Sequence, residues 1–299
     1  MIKINKTADS EYFGNKKLNS VIIDEGVTNL GKFCFYNCIF LSQIKLPSTL
    51  TNLGEFCFGF CGSLQEIQIP EGVTNIGHHC FCNCISLTNV ILPSTLTNLG
   101  EYCFECCASL NSVIIPEGVT NLCNHCFYRC YDLTNVTLPS TLTNLGEYCF
   151  SFCGSLQEIT IPEGVTNMEH HCFCNCTSLT NINLPNTLTS LDEYCFENCT
   201  SLSNVVIPEG VTRIETDAIK DCTNLTTIDL KTNEFMINYD NDCVIKLRNI
   251  RLHDITVNEK TCEKFMDLPN IIINNVYVDD KLIYKHTNKL NFGIYININ

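Results

Sequence analysis

The stretch Leu133-Thr-Asn-Val-Thr-Leu-Pro-Ser-Thr-Leu-Thr-Asn-Leu-Gly-Glu-Tyr-Cys-Phe-Ser-Phe-Cys-Gly-Ser155 decides the fold. Leu133, Val136 and Leu138 form Leu-x-x-Val-x-Leu, a short strand with alternate inward positions. Pro139 removes a backbone donor and ends that strand. Leu142 and Leu145 point inward again along a second side. Cys149, Phe150 and Cys153 follow, and the four-residue spacing of the cysteines predicts a short helical turn with both on one face. Gly154-Ser155 then lead into the next leucine. The pattern recurs at Pro47, Pro70, Pro93, Pro116, Pro139, Pro162, Pro185 and Pro208, a step of 23 residues, so that nine units run from Leu18 to Asn224. No single unit can bury its own apolar edge, so stacked neighbours must make the core. The predicted fold is an α/β solenoid: a right-handed superhelix of 23-residue coils with a parallel β-sheet on its concave face.

A second level of order overlies the first. Units with Pro-Ser-Thr-Leu or Pro-Asn-Thr-Leu alternate with units carrying Pro-Glu-Gly-Val, and segments 64–86 and 156–178 are nearly identical at an offset of 92 residues, or four units. The period falls within the roughly 20–29 residues of leucine-rich repeats. Ile-Pro-x-x-Val-Thr-x-Ile combined with x-x-Cys-Phe-x-x-Cys-x-x-Leu resembles the BspA-like leucine-rich-repeat family over at least residues 18–230. The residue before Phe is usually Ala in that family. Here it is Cys34, Cys57, Cys80, Cys103, Cys126, Cys149, Cys172 and Cys195, and only Ala218 in the ninth unit keeps the family form. The resemblance implies an interaction protein, not an enzyme, in a family that includes surface proteins binding host or matrix proteins.

Residues 1–17 read as an N-terminal capping coil, with Ile4 in the Val27 column, Glu11 in the Cys34 column and Asn15 in the Cys38 column. Residues 18–230 are the solenoid: nine repeats to 224 and a tenth strand at Leu225-x-x-Ile228-x-Leu230. Residues 231–299 read as degenerate repeats and a C-terminal cap, with a hairpin turning near Asp279-Asp280; a separate small domain is the alternative. The chain carries a formal charge of −14, with 45% hydrophobic and 17% charged residues. Of these, 5 Lys/Arg and 20 Asp/Glu lie between residues 18 and 224. That charge argues against nucleic acid as a partner, and apolar runs of four residues or fewer leave no membrane span. The N-terminal segment has no apolar signal core.

The cysteines form two columns, the eight before Phe and Cys38, Cys61, Cys84, Cys107, Cys130, Cys153, Cys176, Cys199 and Cys222. Buried free thiols are the leading reading, since Cys behaves as a small apolar residue. Disulfides fit less well, because side chains stacked about 4.8 Å apart exceed disulfide Cβ spacing. A thiol-rich metal or redox protein is a third reading, although the zinc-type paired spacing is missing. Free thiols imply a reducing compartment, so the expected location is cytoplasmic, with the cell surface as the alternative.

Two surfaces are candidates for binding. Gln68, Ile91, Ile114, Thr137 and Thr160 fall at one outward strand position per coil and form the preferred strip. His79, Tyr102, His125, Tyr148 and His171, flanked by a Glu/His column, form an outer ladder as the alternative surface. No catalytic motif, cofactor site or metal site is read. The expected function is a monomeric, non-enzymatic scaffold binding a protein of unknown identity, with a surface adhesin for host protein or glycan as the alternative.

Overall fold

The computed structural model describes residues 2–230 and the segments 236–238, 245–252, 271–278 and 281–285. Each 23-residue unit is one coil with three sides. The first side is a strand of three or four residues, as in Asn89–Ile91, Ser112–Ile114, Asn135–Thr137 and Glu158–Thr160. Adjacent strands pair in parallel, one coil on from the other, with Gln68 opposite Ile91 and Ile114 opposite Thr137. The proline then closes a tight turn: the Leu142 N–H donates to the Pro139 carbonyl at 3.1 Å. A second side follows with two-residue strands such as Asn121–Leu122 and Asn144–Leu145, also parallel. The core lies between the sides, where Leu133, Val136, Leu142, Leu145, Cys149, Phe150 and Cys153 are all buried.

The third side corrects the α part of the expected α/β class. Among the described residues the only helix is a four-residue 3₁₀ turn, Thr216–Ile219, in the ninth unit. The reason lies in where the backbone donors point. N–H groups of Phe33, Phe35 and Asn37 donate to carbonyls of the following coil, Glu55, Cys57 and Gly59, at 2.7–2.8 Å. The alternating Cys34, Tyr36 and Cys38 N–H groups bond to Gly31, Phe33 and Phe35 three residues back, at 3.1–3.3 Å. Every second donor therefore runs along the solenoid axis, which an α-helix would forbid. Two residues per coil turn left-handed to allow it, such as Tyr148 at φ 54° and Phe152 at φ 62°. That conformation costs a non-glycine residue about 1–2 kcal/mol, and the inter-coil bonds offset it.

The stack aligns like with like. Tyr12 and the core phenylalanines Phe35, Phe58, Phe81, Phe104, Phe127, Phe150, Phe173 and Phe196 form one file, with centroids 5.2–5.7 Å apart and planes within 14° of parallel. Every thiol of the second cysteine column donates to the carbonyl of the core aromatic residue 26 positions earlier: Cys61 to Phe35 at 3.1 Å and Cys153 to Phe127 at 3.4 Å are examples. The cysteines of the first column are buried beside these rings, and Ala218 is equally buried in the same column. No disulfide joins the described cysteines. Burial pushes the thiols up, Cys34 to about 12 and Cys38 to about 11, so they remain neutral at physiological pH.

The two-unit alternation has a polar cause. Glu71 accepts the Ser94 N–H at 3.1 Å and the Ser94 hydroxyl at 2.9 Å. Glu25 does the same for Ser48, and Glu163 for Asn186. The threonine beside each serine closes the joint: Thr95 donates to the Val73 carbonyl and accepts the Gly72 N–H, both at 2.9 Å. A Pro-Glu-Gly coil and the Pro-Ser-Thr coil after it are thus complementary halves of a 46-residue pair. An amide ladder adds a further set of bonds, Asn52 to Asn29 at 2.6 Å, Asn75 to Asn52 at 2.7 Å and Asn98 to Asn75 at 2.6 Å. In its last positions Ser190 and Arg213 replace Asn, and Arg213 bonds both Asp192 and Glu215 at 2.7 Å.

At the N-terminal end, Ile4 does not occupy the Val27 column. The strand Ile2–Ile4 pairs with Val21 to Ile23, Ile4 lying opposite Ile23, because this first coil is four residues short. It has no proline corner. Its later half is in phase: Tyr12 stacks on Phe35, and Ser10 and Gly14 supply the two left-handed positions. Beyond the ninth unit, Thr227–Leu230 pairs in parallel with Ile245–Leu252, which pairs in parallel with Ile271–Val278, and Lys281–Lys285 adds an antiparallel strand. The turn at Asp279-Asp280 lies outside the described residues.

The core predicts its own mutational profile. Cys149→Ala should be mild, as Ala218 fits the same column, whereas Cys149→Leu should cost roughly 1–3 kcal/mol through overpacking. Cys153→Ala should cost about 1 kcal/mol, because it removes the thiol hydrogen bond to the Phe127 carbonyl, which keeps only the Cys130 N–H. Urea unfolding of the three variants checks this; a Leu variant as stable as the Ala variant would mean the column is not tightly packed.

Candidate functional site

The strand face carries two outward columns. One contains Lys3, Ile22, Lys45, Gln68, Ile91, Ile114, Thr137, Thr160, Asn183, Val206 and Asp229, matched by the strand registers. The other contains Glu66, Asn89, Ser112, Asn135, Glu158 and Asn181. All five residues of the expected strip are exposed, with Ile91 at 50% and Ile114 at 71%. Their neighbours Val90 and Val113 point the other way and are buried, which is the period-two logic of a strand. Between Glu66 and Glu158 the two columns read Asn89, Ile91, Ser112, Ile114, Asn135 and Thr137, three coils without a charged side chain.

The outer ladder is built differently. Phe33, Phe56, His79, Tyr102, His125, Tyr148, His171 and Tyr194 stack in file, with centroids 4.3–5.0 Å apart and planes within 21° of parallel. All eight are left-handed residues, φ 52–59°, so the kink aims the rings along the stack. Each ring spends its faces on its neighbours, and the five ladder residues of the expected alternative surface are half-buried. Burial holds His79, His125 and His171 below the ordinary histidine value and raises Tyr102 and Tyr148. Beside the rings runs the polar column. Lys32 bonds Glu55 at 2.9 Å, and the His78 and His170 Nδ1 atoms lie 3.9 Å from Glu101 and Glu193. No three His, Cys, Asp or Glu side chains converge on one point among the described residues.

Sequence reasoning placed the strip and the ladder in their columns. It missed the left-handed positions, the asparagine ladder and the Glu–Ser clamp. At one of the two left-handed positions Asn37, Asn83, Asn175 and Asn198 carried a signal, since Asn favours positive φ, whereas the Phe and Tyr of the other seldom adopt it. The last was visible as the strict alternation of Pro-Glu-Gly with Pro-Ser-Thr.

Comparison with known proteins agrees with this geometry. The model of the BspA-type leucine-rich-repeat region matches in six copies over residues 6–134 and 120–243. A leucine-rich repeat protein from Bacteroides ovatus aligns at 24% identity over 91% of this chain and 87% of its own, with a TM-score of 0.52. A leucine-rich repeat protein of T. pallidum aligns at 30% identity over 52% of this chain and 72% of its own, with a TM-score of 0.48. No curated protein matches the chain. The stacked 23-residue coils, their parallel strands and the family match over most of the sequence lead to one assignment: this chain belongs to the BspA-type leucine-rich-repeat family.

Proposed function

We propose that the chain is a non-catalytic scaffold that binds a protein through its strand face, centred on Ile91 and Ile114. The observation that supports this is the charge-free window around two exposed isoleucines. A partner placed there covers apolar surface, at about 25 cal/mol per Å², without stranding a charge. The short amides and hydroxyls of Asn89, Ser112, Asn135 and Thr137 supply hydrogen bonds around the apolar centre, the arrangement of an apolar core with a polar rim. The ladder is the poorer candidate, because its ring faces are already covered by one another. Curvature of the solenoid would make the strand face concave and extended. The neutral buried thiols fit a reducing compartment, and we place the monomer in the cytoplasm. A cell-surface location would instead bring an extracellular partner.

We further propose that residues 231–299 cap the array. Removing them should bare the Thr227–Leu230 strand edge and the apolar end of the last regular coil, giving aggregation in light scattering. A soluble, monomeric 1–230 fragment of normal strand content would make the tail a separate domain.

Affinity capture from the native source, followed by titration of the recovered protein, tests the binding face. Ile91→Asp with Ile114→Asp should lower affinity at least 100-fold and lower the unfolding midpoint only slightly, through repulsion of the two stacked carboxylates, since both side chains face outward. Tyr102→Ala with Tyr148→Ala should lower stability by roughly 1–3 kcal/mol through lost stacking and packing and change affinity little. The reverse ranking would move the binding surface to the ladder.

A further inference from the structure

In the outer file, His79, His125 and His171 alternate with Phe56, Tyr102, Tyr148 and Tyr194, each imidazole held between two rings at 4.3–4.8 Å. The Nδ1 atom of each of the three is buried and has no hydrogen-bond partner. A neutral imidazole carries one proton and can keep it on Nε2, leaving Nδ1 bare. Protonation forces an N–H and a positive charge onto Nδ1, where no acceptor waits. A buried charged donor without a partner costs more than a bare ring nitrogen.

We propose that these three histidines make the middle of the solenoid proton-sensitive: as neutral rings they complete the stack, and their protonation in mild acid loosens it. Several groups facing them oppose this. Glu55 and Glu101 favour the charged form of His79, Glu101 and Glu147 that of His125, and Glu147, Glu193 and Glu197 that of His171. His78, His125 and His170 work the other way on their neighbours. The ring faces of the flanking tyrosines also attract a cation. Burial outweighs these, and all three histidines sit below the ordinary value of 6.5. Cys80, Cys126 and Cys172, next in sequence to the three, have thiols raised by burial and stay uncharged.

The sign follows from linkage. A base whose folded value is depressed binds its proton more readily when unfolded. The stabilisation is complete above pH 6.5 and is lost as pH falls from there toward the lower folded values. The clamps at Glu71 and Glu117 act in another window. Their hydrogen bonds from Ser94 and Ser140 hold them below the ordinary 4.5, so their contribution is lost only in stronger acid. The units that hold His79 to His171 are also the five that hold Gln68, Ile91, Ile114, Thr137 and Thr160. Acid release of a partner would follow, a consequence that rests on the function proposed above.

Thermal unfolding of the full chain at pH 7.5, 6.5 and 5.5 tests the inference without any partner. The wild-type midpoint should fall by about 3 °C or more between pH 7.5 and 5.5. The triple variant His79→Tyr, His125→Tyr, His171→Tyr uses a residue that already fills this column in alternate units, and it should lose less than a third of that fall. His78→Gln with His170→Gln should keep the whole fall. Proton–carbon NMR titration of the wild-type histidine rings gives a second readout, independent of whether the triple variant folds. Midpoints below 6.5 for all three ladder rings are expected. An equal fall in the triple variant, no fall in the wild type, or a ladder ring titrating at or above 6.5 would overturn the proposal.

Discussion

The rest of the structure depends on one backbone device: on the third side of the coils before the ninth, every second N–H points along the solenoid axis and bonds to the next coil. Phe35 to Cys57, Phe58 to Cys80 and Phe81 to Cys103 repeat it at 2.8–2.9 Å. The two strand sides already pair coil to coil, so this device makes the third side do likewise. A coil then has few bonds of its own and depends on its neighbours for nearly all of its stability. The left-handed residues are the local cost of that arrangement. One of the two is occupied by Phe, Tyr or His, whose rings held in file recover contact energy that glycine could not, and the other by residues such as Asn37, Phe60, Cys106 and Arg129.

Strict period makes each column homotypic, and the columns explain the composition. The second cysteine column needs a small, buried residue with a donor aimed at the carbonyl of the core aromatic ring. Cysteine meets that need while behaving as an apolar side chain. Where like residues would fail, as with glutamate above glutamate, the sequence alternates. Glu71 meets Ser94 and Glu117 meets Ser140, while His79 meets Tyr102 in the aromatic file. Alternation in both places gives a two-coil unit within the one-coil fold. On the strand face Ile91 and Ile114 stand exposed among short polar groups.

Much of this was legible in the amino-acid sequence. Eight prolines at a constant step set the coil length, and Leu-x-x-Val-x-Leu set the strand phase that turns Val113 inward and Ile114 outward. The paired cysteines were correctly read as buried, but for a helical turn that does not form. Their spacing of four suits either geometry, and only the inter-coil direction of the donors separates the two. The Ile4 register failed because a four-residue deletion in the first coil shifts the strand against the later half, which Glu11 and Asn15 had placed correctly. The Thr-Asn pairs of the second side drew no reading from the sequence, and their amides form a ladder. Such interactions link equivalent residues of neighbouring coils, so a residue type conserved by repetition looks the same whether it bonds its own kind or faces water.

The central claim is that each coil is defined by its column contacts, so whole coils are interchangeable in blocks that keep both periods. Deleting residues 64–155 removes 92 residues, or four coils, and joins Ser63 to Leu156 with every column and the Glu–Ser alternation in phase. Deleting residues 64–151 removes four fewer and leaves one coil of 27 residues, 41–63 with 152–155, whose columns cannot all meet those of both neighbours. Circular dichroism and urea unfolding of the two shortened chains make the comparison. The account predicts a cooperatively folded protein with native strand signal from the first and an unfolded or aggregated one from the second. Equal folding of both, or failure of the in-phase deletion alone, would contradict it.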